Sequence, residues 1–338
     1  MRNLPVRLGL SLPNRGVLFG LTSVDTLMDA AVLAEQSGVF ESVWLGDSLI
    51  HKPRLEAIVL LGAFAARTRK VRLGTMCMAS FPVRHPVLLA IQWASLDQIS
   101  KGRTVLTVCI GGGDDPELRA FGTNRRERVA RLREGIGLLR SLWGETQVNH
   151  QGRFYSLEGY RIEPKPLQKP CPIWIAVNPD KTKVGETGVE RAMKRVATLG
   201  DGYVTIANTP EEFRQRWELI QKFAAESGRD LTSFETSYHG MVNINDSKHE
   251  AYKESKFYFD HYYTPGWPTQ EIIKLWLAHG PPEECASLIQ SWVDMGITTP
   301  VLRFTSRDQI GQIHRFIDEV LPLLNLSQGA KVVIQDQK

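Results

Sequence analysis

Long apolar runs are missing from this chain of 338 residues. The longest, Ala57 to Ala66, falls short of the ~20 residues that a membrane-spanning helix needs. The first residues, Met1 to Leu12, carry no apolar stretch followed by a small-residue cleavage site. Both absences predict cytoplasmic residence and no membrane partner. Cysteine is scarce: Cys77, Cys109, Cys171 and Cys285 are the 4 present. They form no C-x-x-C pair, which excludes a disulfide framework and a zinc knuckle and predicts reduced thiols. Charge of one sign is lacking as well. Lys+Arg number 41 against 37 Asp+Glu, for a net charge of +4. So small an excess, spread along the chain, predicts no nucleic-acid surface. The densest basic stretch, Arg125 to Arg133, has helical spacing and neighbouring Glu127 and Glu134, and reads as a solvated helix face. Internal repeats and low-complexity tracts are absent.

What is present is the composition of a packed domain, 42% hydrophobic and 23% charged, near the average for globular chains. Apolar runs suited to strands buried on both faces recur, each followed by a helical pattern. They are Val6–Leu12, Ser42–Leu45, Val71–Met76, Val105–Cys109, Ile173–Val177, Gly202–Ile206, Phe234–Asn243 and Pro300–Phe304. One-sided helix faces lie between them: Leu27, Ala30, Ala31 and Ala34; then Val129, Leu132, Ile136, Leu139 and Trp143. A third is Ile310, Ile313, Ile317, Val320 and Leu321, opposite Gln312, Arg315, Asp318 and Glu319. The strand count favours a closed (β/α)8 TIM barrel over an open sheet. The whole chain, 1–338, reads as one barrel domain with insertions near 147–170, where a hairpin is expected, and near 246–282. The second is rich in aromatics, Phe257 to Trp276, read either as a lid or as an extra packed layer.

A TIM barrel places its active site just after the strands, which selects Asn14, Asp47, Ser48, His51, 76–85, 109–115 and 178–188. Gly46-Asp47-Ser48-Leu49 resembles the nucleophile block of GDSL hydrolases. Such enzymes need a histidine base from an Asp-x-x-His, and only Asp246-Ser247-Lys248-His249 offers one, far from the C-terminus; this is the least favoured reading. Gly111-Gly112-Gly113 fails the dinucleotide fingerprint because Pro116 stands where its third glycine belongs. The loop is either a simple turn or a close backbone approach to a flat ligand. Asp114 and Asp115 beside it lack a third metal ligand and read as a solvated loop. No metal is expected. Asp47 is read as a helix cap, and His85 and Asp97 as structural residues.

Taken in order, several blocks resemble the luciferase-like monooxygenase superfamily of flavin- and deazaflavin-dependent oxidoreductases over nearly the whole chain. They are Glu41-Ser42-Val43-Trp44-Leu45-Gly46-Asp47, Val71-Arg72-Leu73-Gly74-Thr75, Arg84-His85-Pro86-Val87 and Leu96-Asp97-Gln98-Ile99-Ser100-Lys101-Gly102-Arg103. Phe121-Gly122-Thr123, Gly152-Arg153-Phe154-Tyr155, Pro172-Ile173-Trp174-Ile175 and Leu199-Gly200-Asp201-Gly202 continue the series. The resemblance implies a homodimeric barrel with a reduced flavin at its C-terminal mouth. It makes Met76–Cys77 the candidate for a non-prolyl cis peptide against the ring. It also sets Cys109, Gly111 and Gly112 near the flavin, Arg128 at its phosphate, and the loop from Asn178 to Thr187 and Gly188 before a phosphate-binding helix expected to start near Val189.

Two residues depart from the family pattern. Ser48 stands where relatives carry a proton-transferring histidine, and serine does not titrate near neutral pH; His51 is the nearest replacement. Ile110 stands where luciferase has an arginine. The favoured expectation is a monooxygenase that uses reduced FMN, supplied by a separate NAD(P)H:flavin reductase, and O2 to oxygenate a small, largely apolar substrate through a C4a-peroxyflavin. The alternative is a deazaflavin-dependent hydride-transfer enzyme on the same fold.

Overall fold

The computed structural model describes residues 4–112, 115–263 and 266–326. The strands are β1 (Gly9–Leu12), β2 (Ser42–Asp47), β3 (Arg72–Met78), β4 (Thr104–Val108), β5 (Val148–Gln151), β6 (Ser156–Tyr160), β7 (Ile173–Ala176), β8 (Gly202–Thr205), β9 (Glu235–Ile244), β10 (Leu277–Gly280) and β11 (Thr299–Phe304). Eight of them, in the order β11-β1-β2-β3-β4-β7-β8-β9, pair in parallel, and β8 and β11 both pair with β9, so the barrel closes. All eight expected strands are there. Their apolar side chains are covered by helices outside and by each other inside, as continuous hydrophobic strands require.

Barrel helices follow the strands: α1 (Val24–Ser37), α2 (Ala57–Arg67), α3 (Pro86–Ser100), α4 (Asp115–Ala120), α5 (Arg128–Gly144), α6 (Lys181–Leu199), α7 (Pro210–Glu226), α8 (Lys248–Tyr262), α9 (Gln270–Trp276), α10 (Pro282–Asp294) and α11 (Gln309–Arg315). Leu27, Ala30, Ala31 and Ala34 form the buried face of α1 as expected. Two face assignments change. Val129 is 38% exposed, because it lies in the first turn of α5 beside the solvent-facing Arg125–Glu127 loop. Gln312 is buried, since it donates to Ile244 O and accepts from Ile244 N, both at 2.8 Å. An amide satisfied on both sides is compatible with a helix's inner face.

The expected hairpin is β5–β6, antiparallel. The second insertion contains α8, α9 and β10, a short strand absent from the sequence reading that extends the sheet beyond β9. No helix among the described residues is long and apolar enough to cross a membrane.

The interior of the barrel is stacked in layers. Arg72 and Glu235 form a bidentate pair, both bonds at 2.9 Å, and the guanidinium lies 5.3 Å from the Trp174 ring. Above them Trp44 and Trp174 meet at 5.2 Å between centroids. Gly74 and Gly202 make room for these indoles: a Cβ on either would come within 2.3 Å of Trp44 or 2.6 Å of Trp174. Trp44, Trp174, Met76, Val105, Val204 and Val301 form a core cluster of their own. They fill the barrel below the C-terminal ends of the strands, and the site is built on that floor.

Candidate active site

A cavity of ≈ 320 Å³ is lined by residues from the C-terminal halves of the strands and from the second insertion, within the ~300–1,000 Å³ range of ligand pockets. One wall comes from β3, β4 and their loops. The Met76–Cys77 peptide is cis, and the pairing of β3 with β4 slips between Gly74 and Met78. The Cys77 thiol donates to Cys109 Sγ at 2.8 Å. That bond, reinforced by burial, pushes the Cys77 thiol well up, and it draws Cys109 down against the opposing effect of burial.

Gly111 follows with φ 66°, and a Cβ there would stand 2.2 Å from the Ala79 carbonyl oxygen. Only glycine lets the β4 loop lie on the β3 loop. Arg128, the first residue of α5, donates from Nη1 to Gly111 O. Of the residues expected near a flavin, Met76, Cys77 and Cys109 line the cavity, whereas Gly111 and Arg128 lie outside its lining, joined to this corner through Ala79 and the Gly111 carbonyl. Gly112 is exposed with open space around it. Gly113, Asp114 and the side chain of Asp115 lie outside the described residues. No cluster of three or more metal-ligating side chains occurs among the described residues.

Ala176, Val177, Val204 and Ile206 form a second, apolar wall with Asn178. Asn178 Oδ1 accepts from Thr205 at 3.2 Å, from Asn208 at 3.1 Å and from Arg216. This network, absent from the sequence reading, fixes the amide at the cavity edge. Thr187 and Gly188 do not line the cavity, and the long helix expected near Val189 starts within a few residues of it, just after the non-helical Gly185. α6 starts at Lys181, breaks at Gly185 (φ 66°) and runs on to Leu199. Asp180 caps the short turn before Gly185 by accepting from Thr182 N at 3.0 Å, so an acid holds that turn's end while the long helix begins beyond the break.

Ser48 and His51 also lie outside the cavity lining. Ser48 Oγ accepts from Lys52 N at 3.2 Å and has no imidazole within hydrogen-bonding distance among the described residues. His249 is on the surface with its side chain 82% exposed, and Asp246 pairs with Arg315 at 2.6 Å. The hydrolase constellation is therefore not formed. His51 is exposed, and its backbone N–H is bonded to Glu117.

Asp47 does not cap a helix. It accepts from Ser80 and pairs with Arg84 at 2.9 Å, while Glu56 caps α2. Asn14 ties the first two strands together, donating to Gly46 O at 2.9 Å. His85 caps α3 and Asp97 holds the 167–168 backbone, structural roles as expected.

The remaining wall was not found from sequence. His239 on β9 is 6% exposed; burial, and then the charge of Arg303, push its imidazole well below the usual histidine range. Its Nε2 is buried with no partner among the described residues. In the ring of eight strands β9 stands four places from β3, so His239 faces the Met76–Cys77 wall across the barrel. Arg303 on β11 is 2% exposed, and Arg54 reaches in from the loop after β2. Tyr262, Tyr263, Trp267 and Trp276 of the second insertion complete the lining. Tyr258 and Phe259 instead pack in the core, so the aromatic excursion divides between cavity lining and packed layer.

The sequence model of the luciferase-like monooxygenase family matches residues 6–299. The chain belongs to this family. Among curated proteins it is 28% identical to an F420-dependent glucose-6-phosphate dehydrogenase of Kineococcus radiotolerans, over 88% of this chain and 92% of the relative. An F420-dependent secondary alcohol dehydrogenase, solved with an F420–acetone adduct, superposes with a TM-score of 0.79 at 19% identity, covering 95% of this chain and 99% of that one. A monooxygenase from Streptomyces bottropensis gives 0.76 at 23% identity, covering 94% and 99%. At these identities the two structures speak for the luciferase-like fold alone.

Proposed function

We propose that the protein is a deazaflavin-dependent dehydrogenase that moves a hydride between an F420-type cofactor and the carbinol or carbonyl carbon of a small organic substrate. The curated relatives favour this over the FMN-dependent monooxygenase reading, and the observation that carries it is His239. Oxidising an alcohol requires a group that takes its proton, within hydrogen-bond reach. His239 lines the cavity with an imidazole that burial keeps uncharged at neutral pH and whose buried Nε2 has no partner among the described residues, and it would supply that acceptor where the family histidine has become Ser48.

The residues present fit such a cofactor. The flat apolar slot between the β3–β4 corner and Ala176, Val177, Val204 and Ile206 suits a planar ring. The close approach of Gly111 to Ala79 keeps side chains out of it. Met76, Cys77 and Cys109 would hold the ring, and Gly111, Gly112 and Arg128, outside the cavity lining, would face its phosphate-bearing arm. When bound, the deazaflavin supplies a ring carbon that exchanges hydride and needs no oxygen. His239 takes or returns the substrate proton at Nε2, while Tyr263, Trp267 and Trp276 exclude water from the reacting atoms. A hydride-donating substrate also removes the need for a separate flavin reductase.

The expected homodimer remains part of the proposal. Val59 on α2 is 75% exposed, and Leu88 and Ile99 on the adjoining α3 are 57% and 58% exposed, an apolar face suited to a second copy. The catalytic assignment is tested with His239→Gln. Turnover is expected to fall by ~10²–10⁴, with cofactor affinity within about threefold of the parent; undiminished turnover would remove His239 from the mechanism.

A further inference from the structure

Arg303 and Arg54 line one side of the cavity, Lys52 and Arg15 stand outside the lining near them, and none of the four meets an acid among the described residues. Arg303 is 2% exposed; its Nε and Nη2 donate to Ser11 Oγ at 3.1 and 2.6 Å, and its guanidinium lies 5.0 Å from the Tyr262 ring centroid. Arg54 donates to the Tyr262 hydroxyl at 3.3 Å and lies 5.6 Å from the same ring. Lys52 Nζ stands 5.3 Å from the Tyr263 ring and 6.0 Å from that of Trp267. Arg15 adds a fourth cation and third guanidinium, whose Nε and Nη1 are buried with no hydrogen-bond partner among the described residues. Burial, and then mutual repulsion with Arg54, weaken the protonation of both Arg15 and Lys52.

The carboxylate that lines the cavity, Asp47, is already held by Arg84 and Ser80. Among the described residues, none of the four cations forms an ion pair with an acid. Buried charges are ordinarily paired, so a group of this kind awaits a counter-charge from outside the chain. Directly beside the cations the lining is aromatic and apolar. Apart from His239 Nε2, the acceptors of the lining named above are engaged: Asn178 Oδ1 by Thr205, Asn208 and Arg216, and Asp47 by Arg84 and Ser80. Few acceptors remain for the hydroxyls of a sugar.

We propose that the substrate is an apolar hydroxy acid. Its oxyanion head is bound by Arg303 and Arg54, with Lys52 and Arg15 adding positive charge, and its body packs on Tyr263, Trp267 and Trp276. The strand register places the reacting hydroxyl. Arg303 pairs with Met241 on β9, and His239 is two residues earlier on that strand, ~6.5–7 Å away along it. The carbinol of a bound acid therefore lies within a few bonds of its head. In the reaction the carbinol carbon gives up its hydride to the cofactor, His239 takes the hydroxyl proton, and the product is the corresponding oxo acid. This inference rests on the dehydrogenase reading for the reaction, and on the cation cluster alone for binding.

The test is binding to the full chain, followed by tryptophan fluorescence or calorimetry, first without and then with saturating F420. The probes are mandelate, its neutral analogue mandelamide, phenyl phosphate and glucose 6-phosphate. Mandelate or phenyl phosphate is expected to bind at least tenfold more tightly than mandelamide, and comparison of the two decides between a carboxylate and a phosphate head. Arg54→Met should weaken that binding at least tenfold. Arg303→Lys, which keeps the charge and loses the planar fork, should weaken it too; if the buried variant fails to fold, Arg54→Met decides alone. Affinities for both mandelate and phenyl phosphate no greater than that for mandelamide, or an Arg54→Met affinity unchanged from the parent, would overturn the oxyanion subsite. Tighter binding of glucose 6-phosphate than of both aromatic anions would overturn the apolar body. Charge-selective binding of mandelate by a chain that does not take up F420 would leave the subsite standing and remove the dehydrogenase reading.

Discussion

Replacing Arg84 by methionine tests how the mouth of the barrel is held. The Asp47 side chain is 1% exposed and that of Arg84 12%, and they pair at 2.9 Å. Arg84 also reaches Glu56 at 2.7 Å, but that carboxylate is 34% exposed. The two carboxylates hold the guanidinium's proton more firmly against the opposing effect of burial. Removing one partner of a buried pair costs about 3–5 kcal/mol, because the other charge is left uncompensated. The Glu56 contact adds no more than about 1 kcal/mol, since solvent screens it. Methionine preserves most of the aliphatic packing, so the loss reports charge rather than volume. Urea unfolding of Arg84→Met should therefore show about 3–5 kcal/mol of destabilisation. The double variant Asp47→Asn/Arg84→Met should be about 0.5–3 kcal/mol more stable than the sum of the single changes requires. A loss below about 1 kcal/mol, or strict additivity, would refute the reasoning.

Gly111→Ala introduces a methyl 2.2 Å from the Ala79 carbonyl oxygen at a φ of 66°, and should cost about 1–3 kcal/mol and weaken cofactor binding; a neutral change would show that the two loops need not touch. The folded protein holds His239 below its ordinary 6.5, so as pH falls through 6.5 the unfolded chain binds a proton that the folded chain refuses. Stability should then fall on acidification with a slope of up to about 1.4 kcal/mol per pH unit from this group, until its folded pKa is reached. His239→Gln should flatten that slope between pH 7.5 and 5.5, and an unaltered slope would contradict the assignment. Among the cysteines, Cys109 is drawn down by the Cys77 thiol, whereas burial pushes Cys171 and Cys285 up to about 12. Iodoacetamide at pH 8, followed by peptide mass spectrometry, should label Cys109 first, with protection by bound cofactor; preferential labelling of Cys171 or Cys285 would contradict this.

The barrel was legible because its strands are buried on both faces and read as unbroken apolar runs. β10 escaped notice since Leu277–Gly280 is short and follows directly on α9. The β3–β4 corner was legible through family blocks that mark loop positions. The cation and histidine wall was not. His239 and Arg303 sit inside strands, where a single polar residue leaves the pattern intact, and their inward direction emerges only when the sheet closes. Lys52 and Arg54 look like solvated loop charges until the second insertion folds Tyr262, Tyr263 and Trp267 against them. The long part of α6 was legible to within a few residues, because Gly185, read as a loop residue, does separate a short turn begun at Lys181 from the helix that runs on to Leu199.

The central claim is hydride transfer to a deazaflavin without oxygen. It is tested most directly by mixing the purified protein with oxidised F420 and a panel of small alcohols and hydroxy acids under strict anaerobiosis, and following the deazaflavin absorbance. The account predicts substrate-dependent bleaching that reverses on adding the corresponding carbonyl compound, and no oxygenated product from reduced FMN and air. Oxygenation of a substrate by reduced FMN and O2, with F420 neither bound nor reduced, would contradict it.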